Sequence, residues 1–381
     1  MLLIQNGIIH DAVHPEPYVA DILICDGKIC QIAPHIEHTE AEIYDAQGMD
    51  IYPGFIDAHT HIGMFGYSGY LSQDDVEKGA RCVPQHRAID CINPLEDSFE
   101  KARSGGVTCV CIAPGSVSCM GGTAAVIKTH GHRIDDMIVK NPAAMKIAFG
   151  ENPKSTLTDK LTTRMSIASA IRDTLYFAKE YEEKKRLANG DRSKMPAYSP
   201  AYEALLPVIR KEIPLKAHCQ RSDDIFTAIR IAKELDVKLT LEHVMDGALI
   251  ADDLAKEGYP IVLGPFISQS KKAEAMNKHA SCAVKMIQAG CHISVMTDSP
   301  IISEDYLPLC AGLFMREGLS EFEALKTITI NAARHLGVED RVGSIEAGKD
   351  ADLVLAYGCP MEMYAKPQAV FGDGKIIYTA Q

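Results

Sequence analysis

Short apolar runs recur through the middle of the chain, separated by stretches with helical periodicity. The runs are GFIDAH at 54, GVTCVCIA at 106, AAVIK at 124, MKIAFGE at 145, PLKAH at 214, VKLTLEH at 237, PIVLG at 260 and HISVMTD at 292. Runs this short and this apolar predict strands buried on both faces. Between them the pattern predicts helices over 166–189, 222–235, 270–289 and 320–336, the last opened by a capping box of Ser320 and Glu323. Eight strands alternating with helices predict a parallel sheet, and the count of eight predicts an α/β fold closed into a (β/α)8 TIM barrel.

The two ends of the chain read differently. DILICDGKICQIA alternates apolar and polar residues around an Asp26-Gly27 hairpin signal, and AVFGDGKIIYTA repeats the style around Asp373-Gly374. MLLIQNGIIHDAV reads as a short strand broken by an Asn6-Gly7 turn. Neither end can build a core alone. Residues 1–50 and 340–381 are expected to pair into one small β-sandwich domain, with 51–339 forming the barrel.

Composition narrows the classes. Of 381 residues, 46% are apolar and 24% charged, as in a globular protein, and the net charge of -12 argues against nucleic-acid binding. No apolar run is long enough to span a membrane, and the N-terminus lacks the basic start and cleavage site of a signal peptide. The 12 cysteines include no Cys-x-x-Cys pair, which predicts small buried hydrophobes in a reduced, cytoplasmic protein.

Polar residues gather where a barrel puts its chemistry, at the C-terminal ends of the strands. The first predicted strand ends in His59 and His61, the fourth in Glu151, the fifth in His218, the sixth in His243 and the eighth in Asp298. Residues i and i+2 of a strand point to one side, so His59 and His61 present two imidazoles together, as one metal ion requires. Imidazole and carboxylate ligands suit zinc, iron, nickel, cobalt or manganese. His130 and His132 share the spacing but lie in a loop-like Gly-containing stretch, which predicts an anion-contacting or solvated role. Gly121-Gly122 reads as a plain turn, or as a place where backbone approaches a ligand.

PGFIDAHTH closely resembles the first-strand motif of the amidohydrolase superfamily, and GSIEAGKDADLVL resembles its return to the small sandwich. Nearly the whole chain is covered, and the likeness is greatest to the imidazolonepropionase-related amidohydrolases. The resemblance implies two divalent metals, zinc foremost, with His59 and His61 on the more buried one and His218 and His243 on the more exposed one. It implies that Asp298 binds the buried metal and acts on the solvent nucleophile. Glu151 would stand where many members carry a carboxylated lysine and would bridge the pair, since two dications about 3.5–4 Å apart need an anion between them. The implied activity is hydrolysis of a non-peptide C–N bond, in a linear or cyclic amide, a ureide or an N-acyl amino acid, by a metal-activated hydroxide. A metallo-dipeptidase is the alternative, then a deaminase. A catalytically dead scaffold would be expected to have lost ligands.

The chain departs from the pattern in places. Members acting on ring C=N bonds tend to carry a glutamate three residues after the fifth-strand histidine, where this chain has Arg221, a group that cannot donate a proton usefully. Arg221 would grip a substrate carboxylate or pair with Asp223 or Asp224. Gln220 and Ser299 stand where close relatives often have histidines, which makes Gln220 a candidate substrate contact. Lys154, Lys160 and Arg164, in the loop after Glu151, would meet an anionic substrate or belong to a solvated charged loop. The expected partner is a small molecule, carboxylate-bearing in one reading, with homo-oligomer formation open and neither nucleic acid nor membrane involved.

Overall fold

The computed structural model describes residues 1–66, 73–156, 163–269 and 272–380. The N-terminal end supplies strands β1 (Leu2–Ile9), β2 (Tyr18–Cys25), β3 (Lys28–Ala33), β4 (Glu42–Asp45) and β5 (Asp50–Pro53). The middle supplies β6 (Phe55–Thr60), β7 (Val107–Ile112), β8 (Met120–Lys128), β9 (Ile138–Ala148), β10 (Leu215–Cys219), β11 (Leu239–His243), β12 (Ile261–Leu263) and β13 (Ile293–Val295). The C-terminal end adds β14 (Leu353–Ala356), β15 (Pro367–Gly372) and β16 (Lys375–Thr379).

Both ends form one sheet, in the order β16-β15-β14-β5-β1-β2-β3 with β4 beside β1. Strand β5 joins them, parallel to β1 and antiparallel to β14. The two Asp-Gly turns hold left-handed backbone, with φ of 50° and 79° at Asp26 and Gly27 and 47° and 71° at Asp373 and Gly374. Two-residue hairpins that match strand twist need those angles. Asn6-Gly7 is a bulge rather than a turn: Asn6 has φ of 65°, the register shifts there, and β1 continues to Ile9. Ile4, Ile22, Ile51, Leu353 and Phe371 meet in a core of their own.

The apolar run at Ile51 is divided between the two sheets. Gly54 is the divide, because a Cβ there would lie 2.1 Å from Thr108 Oγ1. The second sheet runs β13-β12-β11-β10-β9-β8-β7-β6. Its edges close through backbone bonds from His61 N to Ser299 O (3.1 Å) and from Asp298 N to His59 O (3.3 Å). Its neighbours are parallel except β8, which is antiparallel to both β7 and β9. Residues 113–119 and 129–137 are too few to carry the helical crossover that a parallel neighbour requires, about a dozen residues or more. Gly122 lies inside β8 with φ of 116°, and a Cβ there would sit 2.4 Å from His86 O, so the close approach is to backbone.

The predicted helices at 166–189 and 222–235 are Arg164–Ala188 and Ser222–Leu235. The stretch 320–336 divides into Glu321–Thr327, whose first turn donates Glu323 N to Ser320 Oγ at 3.2 Å, and Ile330–Leu336. The stretch 270–289 yields Ala273–Ala275 and Ser281–Gln288, and residues 270 and 271 lie outside the described residues. Ala58, Cys109, Cys111, Ala124 and Ala144 pack together with Val262 and Met296 in the barrel. All 12 cysteines are free, six of them buried and Cys30 exposed. Among the described residues no helix is long and apolar enough to cross a membrane.

Candidate active site

His59, His61, His243 and Asp298 converge at the barrel mouth. The His59 and His61 rings are 5.3 Å apart and edge-on, and His59 lies 5.6 Å from His243. In each histidine Nδ1 faces an acceptor: Glu242 Oε2 at 2.9 Å for His59, Ala113 O at 2.7 Å for His61 and Gly264 O at 2.9 Å for His243. A proton on Nδ1 leaves the Nε2 lone pair aimed the other way, as metal-ligating histidines require. Ligand atoms of His59, His243 and Asp298 lie within 4.8 Å of one another. Asp298 Oδ1 is 3.2 Å from His61 Nε2 and 3.9 Å from His59 Nε2. A carboxylate oxygen facing two lone pairs needs positive charge between them.

His218 stacks edge-on against His243 at 4.2 Å and is buried, yet neither of its ring nitrogens has a hydrogen-bond partner. Buried polar atoms are rarely left so. A divalent cation held by these imidazoles and Asp298 would answer both facts, so the residues present fit the metal that the sequence motif implies.

The electrostatics favour the ligand forms. Burial pushes His243 down to about 4, and it holds His59 and His218 well below the usual histidine range. Burial alone would raise the Asp298 carboxyl, but His61, His243 and His59 outweigh it and hold it far below the usual range. The backbone at this rim is strained, with φ of 54° at Asp298 and 74° at His243. Left-handed conformations of such residues cost about 1–3 kcal/mol and cluster at functional sites.

Glu151 is not among the residues whose ligand atoms lie within 4.8 Å of one another. Strand β9 ends at Ala148, Gly150 turns the chain with φ of 83°, and Glu151 opens the helix Glu151–Thr156. Its backbone amide donates to Glu274 Oε2 at 2.7 Å. The group beside His59 is Lys146, fully buried, with Nζ 3.0 Å from His59 Nε2. Burial pushes its ammonium down to about 8.

A charged layer beneath was also missed by the sequence reading. Glu242 bonds His59 Nδ1, and it lies 2.9 Å from Lys216 Nζ and 3.3 Å from His335 Nε2, all buried. Lys216 also donates to Ala58 O at 3.0 Å. Asp57 accepts from His59 N at 3.0 Å and from Thr297 N at 2.9 Å, tying β6 to the Asp298 segment, and burial raises it to about 6. The available signal was a lysine or glutamate inside an otherwise apolar strand, where such residues occur fully buried only when paired.

A cavity of about 620 Å³ opens over the cluster, bounded by His61, His218, His243, Asp298 and Gln220 among others. Gln220 donates to Glu274 Oε1 at 3.2 Å. Arg221 does not border the cavity; its guanidinium grips Asp223 through bonds of 3.0 and 2.9 Å. Arg164 is bound to Asp224 at 2.9 Å, and Lys160 lies outside the described residues. Ser299 is buried, its amide donating to Thr297 Oγ1 at 3.1 Å. His130 bonds Asp373 at 3.1 Å, away from the cavity.

A nearly closed eight-stranded barrel with histidines and an aspartate converging at the strand ends defines the class, and the chain belongs to the amidohydrolase family, whose model matches residues 51–380. The crystal structure of an amidohydrolase from Thermotoga maritima MSB8 is 38% identical, superposes with a TM-score of 0.96 and covers 100% of both chains. Amidohydrolase tasK of Hapsidospora irregularis is 28% identical over 388 residues, which is 94% of this chain and 40% of that protein. The imidazolonepropionase of Symbiobacterium thermophilum is 26% identical over 373 residues, 87% of this chain and 82% of that one. The chain thus spans less than half the length of tasK.

Proposed function

We propose that the protein is a metal-dependent hydrolase of a non-peptide C–N bond in a small molecule, acting in the cytoplasm on a linear or cyclic amide, a ureide or an N-acyl amino acid. The observation that carries the reading is the convergence of three Nε2 lone pairs, the partnerless His218 ring and Asp298 on one cavity. His59, His61, His218, His243 and Asp298 would hold the metal. A bound divalent cation supplies Lewis-acid polarisation of a carbonyl and makes hydroxide available by lowering the pKa of water from 15.7 to about 7.

The chain's own residues move the proton. Asp298, its carboxyl held far below the usual range, accepts a proton from the attacking water and delivers it to the leaving nitrogen. A carbon–oxygen bond forms, the carbon–nitrogen bond breaks, and the amine leaves neutral. Glu242 holds the His59 ring in the tautomer that ligates. Arg221, locked to Asp223, offers no acid to a ring nitrogen, which weighs against deamination.

Lys146, 3.0 Å from His59 Nε2, would be a further residue to hold the metal. As an ammonium it repels a cation; reaction of its neutral amine with carbon dioxide gives a carbamate and a proton, and the carbamate would supply an anionic ligand for the metal. Lys146 thus takes the role that the motif resemblance assigned to Glu151.

The test is turnover of N-acyl amino acids, lactams, hydantoins and dipeptides by the metal-loaded protein. Hydrolysis of one of the first three classes, lowered about 10²–10⁴-fold in Asp298→Asn, is expected. Full activity of Asp298→Asn, or cleavage of dipeptides alone, contradicts the reading.

A further inference from the structure

The cavity over the cluster holds a cation that no carboxylate among the described residues answers. Lys278 borders it, half-buried, and burial pushes its ammonium below the usual lysine range. Its partners are the backbone carbonyl of Ser268 and the Ser268 hydroxyl, the latter at 3.0 Å. Among the described residues no carboxylate lies within ion-pair distance of it. The other cations in reach of this rim differ: Arg221 is held by Asp223 and Arg164 by Asp224. Lys272 borders the cavity too and donates to Asn152 Oδ1.

A half-desolvated ammonium without a counter-charge among the described residues is costly unless a ligand completes it. A volume of about 620 Å³ admits a molecule long enough to meet several walls at once.

We propose that Lys278 is the anchor for a carboxylate on the substrate, so that the substrate is an acid: an N-acyl amino acid, or a cyclic amide or ureide bearing a carboxylate arm. This rests on the hydrolase reading and narrows it. Specificity then follows from charge. A neutral analogue leaves Lys278 facing an uncharged group, and a charge-assisted bond is worth more than a neutral one.

Calorimetric titration with two matched pairs tests it: N-acetyl-L-alanine against N-acetyl-L-alaninamide, and hydantoin-5-acetic acid against hydantoin-5-acetamide. In the unmodified protein the acid of at least one pair is expected to bind about ten- to a hundredfold more tightly than its amide. Lys278→Arg keeps that preference. Lys278→Met and Lys278→Gln reduce it below about threefold, and the glutamine variant retains a donor for the Ser268 carbonyl, which guards against a purely structural effect. Equal binding of acid and amide, binding of neither acid, or an undiminished preference in both uncharged variants overturns the proposal. Turnover of the amides with no acid preference removes the anchor and leaves the hydrolase. Acid binding by a protein that hydrolyses nothing leaves the anchor and removes the hydrolase.

Discussion

Lys146 Nζ lies 3.0 Å from His59 Nε2, and both side chains are fully shielded from solvent. The ammonium occupies the direction in which the imidazole lone pair points. That charge opposes a cation there; a carboxylate on the nitrogen, as proposed, would reverse the sign.

Lys146→Met is therefore expected to retain the fold and to bind about one metal equivalent fewer than the unmodified protein. Lys146→Ala should regain part of its activity with added acetate or formate, small enough to enter the vacated space. Metal quantification and rate measurements with and without the acid check this. An unchanged metal ratio in Lys146→Met would show that the lysine is a structural cation.

Glu242 joins three buried groups, His59, Lys216 and His335, so its replacement should be felt in stability and in metal binding. Glu242→Gln leaves the Lys216 charge unanswered inside the barrel, a loss of about 3–5 kcal/mol for a buried pair. It also frees the His59 ring, which should weaken metal binding about 10–100-fold. Thermal unfolding and metal competition measure the two effects separately.

The sequence exposed what periodicity and spacing can carry. Eight apolar runs marked the eight barrel strands, and His59, His61, His218, His243 and Asp298 stand together at one end of them. Strand direction was not legible: AAVIK looks the same read parallel or antiparallel, and the short connections on either side decide it. Glu151 follows an apolar run, but the strand ends at Ala148 and Gly150 turns the chain before it. Lys146 and Lys216 passed unnoticed because a lysine in a strand is ordinarily read as a solvated edge. Arg221 had two readings, and a neighbouring carboxylate two residues away settles its contact.

A third expectation concerns the joint between the barrel and the terminal sheet. Lys128, 3% exposed, lies 2.8 Å from Asp352, 2.9 Å from Asp373 and 3.1 Å from Asp350. Burial lowers the lysine, but the three carboxylates outweigh it and raise it above the usual range; Asp350 and Asp373 are depressed in turn, against burial, with Lys128 and, for Asp373, the His130 bond. Depressed carboxylates stabilise the fold above the ordinary value of 3.8 and lose that contribution as pH falls through their lower folded values. The raised lysine contributes below 10.5 and loses it as pH rises through its higher folded value. Lys128→Met should thus cost about 3–5 kcal/mol at neutral pH, and the gap to the unmodified protein should shrink below about pH 4. Melting temperatures across that range check the sign; a gap that widens in acid contradicts it.

The central claim is tested most directly by calorimetric titration of the metal-free protein with Zn²⁺, beside His243→Ala. Tight uptake by the unmodified chain, weakened at least about a hundredfold in the variant, is the expected result. No zinc uptake, or equal uptake by both proteins, would contradict it.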